Sequence, residues 1–290
     1  MSRAASHLPD PGRCAVVGVL NVTPDSFSDG GRYHDAADAV SHGVQMAAAG
    51  ADLVDVGGES TRPGAVRVDS AEECRRVLPV VRELAAAGVA VSIDTTRASV
   101  AEQALAAGAR VVNDVSGGLA DPAMVKVVAA AGVPWVLMHW RGHSRDMAAL
   151  ASYRDVVGEV IAELSARIDD ALAGGVATDA LVIDPGLGFA KRIEHDLALL
   201  AHLDRLVAIG PPVLIGASRK SFLGRVLADG DGVPRPVQDR EAATMATTAL
   251  AAAAGVWGVR VHEVDANLDV VRLIAAVRSS AESAPGPADE

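Results

Sequence analysis

The sequence predicts an α/β protein, a single-domain (β/α)8 TIM barrel, and three observations carry that expectation. Short β-branched apolar runs alternate with Ala-rich segments of helical period along the chain. The helical segments close on glycine, and the next apolar run starts within a few residues. Acids, amides and cations then follow the apolar runs, at what would be the carboxyl ends of the strands.

The strand candidates cover 14–20, 53–56, 90–93, 110–112, 134–138, 181–183, 212–215 and 258–261. Helices are expected over 35–49, 70–87, 97–107, 122–130, 153–173, 194–203, 238–254 and 266–280. Gly50, Gly88, Gly108 and Gly132 end Ala-rich runs, where a residue without Cβ takes a left-handed cap at little cost. Returns this tight, repeated this often, suit a closed barrel better than a doubly wound open sheet, with a mononucleotide fold carrying extra strands as the competitor. A length of 290 residues fits one such domain over 14–280. Low-complexity bias is confined to the ends, so 1–13 and 281–290 are expected to be a flexible extension and tail.

A net charge of −11 and the scarcity of Lys/Arg clusters argue against nucleic acid or an anionic membrane as partner, and favour a small-molecule substrate. Residues 242–259 are uncharged and approach membrane-spanning length, but Gly255 and Gly258 interrupt them, so they read as helix, turn and strand. Cys14 and Cys74 are far apart and form no CxxC pair, which fits reduced thiols in a cytoplasmic protein. The first residues lack a basic segment followed by an apolar run, which removes a secretory reading.

Asn21, Asp55 with Glu59, Asp94, Asn113 with Asp114, His139, Asp184, Ser218 to Lys220, and Arg260 with His262 all sit at or just past a strand's carboxyl end. In a barrel they form one rim. The Gly/Ser/Asp-rich connection 21–31 is either a lid or a structural turn. The stretch 57–64 offers backbone N–H groups, hydroxyls and a guanidinium suited to phosphate oxygens, or is a surface turn. Asp94, Asn113 and Asp184 each follow an apolar run and should point into a partly desolvated mouth. There a heterocycle edge presenting N–H and NH2 donors, such as a pterin or purine, would satisfy them; salt bridges to barrel arginines would do the same. The stretch 216–222 has the look of a phosphate-gripping turn into a helix, without Walker spacing. Arg260 and His262 alternate with Val259 and Val261, so if the valines face the helices the two cationic groups face the mouth. Metal-centred hydrolysis is the lesser reading, because the histidines show no His-x-His or His-Glu-x-x-His spacing. Residues 142–152 suggest no role.

Seven blocks in order carry a family resemblance: Gly18-Val-Leu-Asn-Val-Thr-Pro-Asp-Ser-Phe-Ser-Asp-Gly-Gly31, Asp55-Val-Gly-Gly-Glu-Ser-Thr-Arg-Pro-Gly64, Ser92-Ile-Asp-Thr95, Asn113-Asp-Val-Ser-Gly-Gly118, Asp184-Pro-Gly-Leu-Gly-Phe189, Gly216-Ala-Ser-Arg-Lys-Ser-Phe222 and Arg260-Val-His262. Together they resemble dihydropteroate synthase over nearly the whole chain. The resemblance implies condensation of 6-hydroxymethyl-7,8-dihydropterin pyrophosphate with p-aminobenzoate, with Mg2+ as cofactor and a homodimeric assembly. It implies that Asp94, Asn113 and Asp184 hydrogen-bond the pterin, with Lys220 on its oxo/N5 side and Arg260 stacked over the ring. It implies that Asn21, Thr61, Arg62, Arg260 and His262 grip the pyrophosphate, Asn21 also holding Mg2+, and that Pro63, Phe189, Lys220 and Ser221 border the p-aminobenzoate. Asp25 and Phe27 would close over the reacting groups, making them catalytic together with Lys220, Arg260 and His262. A methyltetrahydrofolate:corrinoid methyltransferase would share the pterin acids but have no use for Arg62, Lys220 and His262 as an anion grip. An inactive pterin-binding paralogue would not need the intact first two loop motifs.

Overall fold

The β-branched runs become eight parallel strands in the order β6-β5-β4-β3-β2-β1-β8-β7. A bridge between Ile183 and Val213 brings the two end strands together, so the sheet is a nearly closed barrel. The computed structural model describes residues 8–23, 32–59, 68–142 and 147–282. Along the chain run β1 Ala15–Asn21, α1 Arg32–Ala48, β2 Leu53–Gly57, α2 Ser70–Ala86, β3 Val91–Asp94, α3 Ala98–Ala106, β4 Val111–Asp114 and α4 Met124–Ala131. Then come β5 Trp135–Met138, α5 Met147–Leu150, α6 Val156–Ala173, β6 Leu181–Asp184, α7 Ile193–Ala201, α8 Leu203–Val207, β7 Leu214–Ile215, α9 Ser221–Val226, α10 Glu241–Ala253, β8 Gly258–Val261 and α11 Val264–Glu282. The uncharged stretch 242–259 is indeed helix, turn and strand, and no helix among the described residues is long and apolar enough to cross a membrane.

Period-two alternation sorts the strand side chains into two cores. Val16, Val54, Val56, Val91, Ile93, Val112, Leu137, Ile183, Ile215, Val259 and Val261 face outward into the large cluster shared with the helices. Val17, Leu53, Val111, Val136, Val182 and Leu214 form a separate cluster inside the barrel. Leu8, Ala90 and Trp257 pack against this inner cluster, and Trp257 Nε1 donates to the Pro9 carbonyl at 3.0 Å. Residues 8–13 thus lie against the barrel's amino-terminal end, where Arg13 also pairs with Asp52 at 2.7 Å.

Differences from the expected elements have local causes. β7 is two residues long instead of four, because Pro212 has no N–H to give the ladder and contributes only its carbonyl, 2.9 Å from Ile183 N. The helix expected over 194–203 breaks at His202, whose φ of −127° leaves the helical region, and Leu203 and Leu206 bury a second short helix. The other unexpected helices, α5 and α9, are too short for a periodicity to be read. Gly50, Gly88, Gly108 and Gly132 take φ of +103°, +80°, +115° and +66°, the positive values the tight returns require.

Leu53 is 3 % exposed and Leu197 on α7 is 43 % exposed, so truncation at the two should cost very differently. Leu53→Ala is expected to lose about 2–5 kcal/mol and Leu197→Ala no more than about 0.5 kcal/mol. Denaturant midpoints measure both, and equal losses would contradict the inner cluster's role.

Candidate active site

The inner-face positions climb each strand in steps of two, from the apolar cluster to polar groups at the carboxyl end. On β2 Leu53 is followed by Asp55, on β4 Val111 by Asn113, on β6 Val182 by Asp184, and past β7 Leu214 by Gly216. On β3 the inward pair is Ser92 and Asp94. On β8 Arg260 lies between Val259 and Val261, which face the helices, so it points into the mouth as the alternation requires. Asn21 ends β1 beside Gly57.

A charged cluster fills this mouth. Arg260 donates from Nε to Asp55 Oδ2 at 2.6 Å and from Nη2 to Asp94 Oδ2 at 2.9 Å, while Asn113 Nδ2 donates to the same Asp55 oxygen at 2.8 Å. Asp55 Oδ1 is buried and has no hydrogen-bond partner among the described residues. Burial pushes the Asp94 carboxyl up to about 7; the Arg260 guanidinium works against this and the Asp55 carboxylate adds to it. Asp184 is also raised by burial, against the nearby Lys220 ammonium. At Gly216 a Cβ would stand 3.8 Å from Asp184 Oδ2, 3.8 Å from Lys220 Nζ and 3.9 Å from Arg260 Cβ, so the missing side chain leaves open the space these three groups flank.

Lys220 precedes α9 and turns its ammonium back over the loop that follows β6. It donates to the Leu187 carbonyl and lies 4.8 Å above the Phe189 ring, a cation–π contact. Its aliphatic stem passes Gly188, where a Cβ would come within 3.3 Å of Lys220 Cδ. Burial lowers its pKa to about 8, with Asp184 and then Asp196 pulling it back up. Ser221 follows, exposed at the start of α9. Ser218 Oγ accepts the His262 backbone N–H at 3.2 Å and lies 2.9 Å from His262 Nδ1, which fixes the imidazole at the rim beside Arg260.

Asp94, Asn113, Asp184, Lys220, Arg260, His262, Phe189, Ser221 and Asn21 therefore all sit at the carboxyl end of the barrel, with direct contacts linking Asp94 to Arg260, Asn113 through Asp55 to Arg260, and Lys220 to Phe189. Asp25, Phe27, Thr61, Arg62 and Pro63 lie outside the described residues. Two rim candidates face elsewhere. Asp114 follows outward-facing Val112 and ties down its own turn through Ser116 and Gly118, at 2.8 Å to each backbone N–H. His139 is buried between Glu163 on α6, 2.9 Å from Nε2, and Lys191, 3.0 Å from Nδ1.

Sequence reasoning placed Asp55 on the rim without giving it work, although the step of two from Leu53 marks it as inward. It missed Lys191, two residues past the Asp184 block. It also missed Arg97, which binds Glu59 at 2.9 Å and buried Glu73, while Val68 N donates to the same Glu59 at 3.2 Å; these ties join the two sides of 60–67. Among the described residues no group of three or more His, Cys, Asp or Glu could hold a metal ion. Asn21 supplies one hard oxygen donor, which suits Mg2+ only if other ligands come from phosphate oxygens and water.

The family model described as pterin binding enzyme matches residues 17–262. The dihydropteroate synthase of Mycobacterium leprae is 62 % identical over 262 residues, covering 90 % of this chain and 92 % of that one. The Escherichia coli K12 dihydropteroate synthase is 39 % identical, covering 92 % of this chain and 93 % of its own. Among solved structures, Xanthomonas albilineans dihydropteroate synthase with 4-aminobenzoic acid is 43 % identical with a TM-score of 0.84, covering 94 % of each chain. The same enzyme in complex with 7,8-dihydropteroate gives 40 % identity and a TM-score of 0.81, over 94 % of this chain and 95 % of that one. A (β/α)8 barrel whose mouth gathers acids, an amide and two cations, and relatives this similar over nearly their whole length, agree: the chain belongs to the pterin-binding enzymes and, among them, to the dihydropteroate synthases, transferases of folate biosynthesis.

Proposed function

We propose that this chain condenses 6-hydroxymethyl-7,8-dihydropterin pyrophosphate with p-aminobenzoate, giving 7,8-dihydropteroate and pyrophosphate, at the mouth built by Asp94, Asn113, Asp184, Lys220 and Arg260. The observation that carries this reading is the geometry around Arg260. Its guanidinium occupies two carboxylates that a pterin's N–H and NH2 edge would satisfy equally well, so binding the heterocycle frees a cation beside the leaving group.

The reaction is a dissociative substitution. The bond between the pterin's methylene carbon and the pyrophosphate oxygen breaks, and its electron pair leaves with the pyrophosphate. Asp94, Asp184 and the Asn113 carboxamide hold the pterin as it becomes cationic, and the carboxylates stabilise that charge through a desolvated site. Arg260 and His262, with Thr61 and Arg62, meet the charge building on the leaving group. The p-aminobenzoate nitrogen, positioned by Pro63, Phe189, Lys220 and Ser221, attacks the exposed carbon and then loses a proton to solvent. Asp25 and Phe27 close over the reacting groups. Mg2+, held by Asn21 and the pyrophosphate oxygens, would neutralise part of the departing charge. No covalent bond to the protein forms, and isolation of a pterin adduct on the chain would overturn the dissociative route.

The chain acts in the cytoplasm as a homodimer. The exposed Leu250 on α10 and Leu273 and Val277 on α11, two helices packed against each other, offer an apolar outer face for a second copy. Sedimentation equilibrium should return the mass of two chains, and a persistent single-chain mass at micromolar concentration would reject the pairing.

Incubation with the pterin pyrophosphate, p-aminobenzoate and Mg2+ should yield dihydropteroate by mass; its absence from folded protein rejects the activity. Lys220→Ala and His262→Ala should each lower kcat by about 100-fold, more than they weaken pterin binding by calorimetry, and unchanged turnover would remove them from the mechanism. A third expectation concerns pH. With Lys220 titrating at about 8, kcat/KM for p-aminobenzoate should fall above that pH as the ammonium is lost, and the limb should vanish in Lys220→Arg. Stability should move oppositely: the folded value lies below an ordinary lysine's, so the unfolded chain holds the extra proton above about 8, and Lys220's burial costs less as pH rises. A flat wild-type profile would show that the ammonium is not needed, and a limb that persists in Lys220→Arg would place it on another group.

A further inference from the structure

The loop after β6 carries Phe189, a proposed p-aminobenzoate contact, on a turn closed within itself by one backbone bond, from Phe189 N to the Gly186 carbonyl at 3.0 Å. Gly186 N donates to Asp184 Oδ1 at 2.7 Å, the Leu187 carbonyl accepts from Lys220, and the Phe189 ring lies beneath the Lys220 ammonium. Gly186 and Gly188 take φ of +67° and +77°, and Ala190 takes +47°, a left-handed conformation that a residue with a Cβ rarely adopts. Gly186 admits nothing larger, since a Cβ there would stand 2.4 Å from the His139 carbonyl.

Behind this turn sits a half-buried lysine with a complete set of partners. Lys191 Nζ donates to the Gly186 carbonyl at 3.0 Å, to the Phe189 carbonyl at 3.1 Å and to His139 Nδ1 at 3.0 Å. Three acceptors match the three N–H donors of an ammonium. Because Lys191 donates to Nδ1, the neutral His139 ring carries its proton on Nε2 and donates it to Glu163 Oε2 at 2.9 Å. Burial holds His139 down at about 4, which keeps that ring neutral. Glu163 is itself held by Arg141, and Arg141 lies 3.8 Å over the Tyr153 ring, whose hydroxyl donates to the Ala190 carbonyl at 3.1 Å. The carbonyls at both ends of the 186–189 turn, and the strained residue after it, are thus tied to β5 and α6.

We infer that Lys191, braced by His139, is a positioning residue for the transfer reaction: it fixes the 186–189 turn so that Phe189 and the Lys220 ammonium stand where the p-aminobenzoate must bind. It touches no substrate and acts through the turn. The inference rests on the proposed function, since it names what the turn positions. Asp94 and Asn113 stand on strands β3 and β4, and Asp184, though it accepts from Gly186 N, is fixed by the ladder of β6, so pterin binding should depend on Lys191 less than p-aminobenzoate binding does.

Lys191→Met keeps the stem and removes the donors. It is expected to raise KM for p-aminobenzoate by about 10- to 100-fold while the calorimetric Kd for the pterin changes by no more than about threefold. Equal losses for both ligands, or an unchanged KM, would overturn the inference. His139→Asn retains an acceptor at the Nδ1 position and should keep KM near the wild-type value, whereas His139→Leu should follow Lys191→Met; this pair decides the matter if Lys191→Met does not fold, and equal KM values in the two would refute the brace. Hydrogen exchange gives a readout independent of turnover. The Gly188 N–H, bonded to Asp196 Oδ1 at 2.7 Å, and the Phe189 N–H, bonded to the Gly186 carbonyl at 3.0 Å, should exchange about tenfold faster in Lys191→Met. Failure of the wild-type chain to make dihydropteroate would reject the proposed function alone, while unchanged exchange at these amides would reject the brace alone.

Discussion

Everything at the mouth depends on one constraint of parallel strands: side chains alternate between the two faces, and in a barrel both faces are enclosed. An inward residue must either fill the interior or reach its open end. Val17, Leu53, Val111, Val136, Val182 and Leu214 fill it. One step of two further along, Asp55, Asn113 and Asp184 can be polar because they stand where the filling stops. A shift of one residue in any strand would send its acid among the helices and its outward valine or isoleucine into the mouth, so the buried outer core enforces the register of the polar rim.

The rim is electrostatically unfinished. Burial raises Asp94 and Asp184 and lowers Lys220, so acids and base alike are pushed toward their neutral forms despite each other's presence. Arg260 compensates two carboxylates at once, yet among the described residues one oxygen of Asp55 still lacks a hydrogen bond. A structural ion-pair network of this size would be expected to close on itself. A cluster of acids held partly neutral by burial, around the space that Gly216 keeps open, is suited to a ligand that brings its own donors.

How much of this was legible in the sequence follows from the kind of signal each residue leaves. The strands were legible because burial on both faces makes them continuous apolar runs, and Asp94, Asn113, Asp184 and Arg260 because each directly continues such a run. The choice between a pterin edge and a barrel arginine as partner for Asp94 could not be made from sequence, because the pairing with Arg260 joins residues far apart in the chain; the structure shows that arginine in place. His139 misled for a related reason. It follows β5 as Asp184 ends β6, but its ring turns toward α6, and only the positions of Glu163 and Lys191 reveal that. Short helices such as α8 and α9 leave less than two turns of periodicity, so tertiary burial of Leu206 and Phe222 decides them rather than any local pattern.

The functional groups thereby divide by how they are held. Those on β2, β3, β4, β6 and β8 inherit their positions from the sheet ladder and need no further support. Phe189 and the Leu187 carbonyl lie on a turn with three consecutive demands for positive φ at alternate residues, 186, 188 and 190, and no ladder fixes it. Such a turn needs donors supplied from behind, aimed at carbonyls several residues apart and at a third acceptor on another strand. An arginine's flat fork directs its donors within one plane, and a glutamine offers only two. A lysine ammonium directs three tetrahedrally, and it does so at a cost: burial pushes Lys191 down to about 7, against the pull of Asp196 and Asp184. The geometry of the turn therefore accounts for the presence of a lysine at 191, two residues beyond the block that carries the substrate-facing side chains.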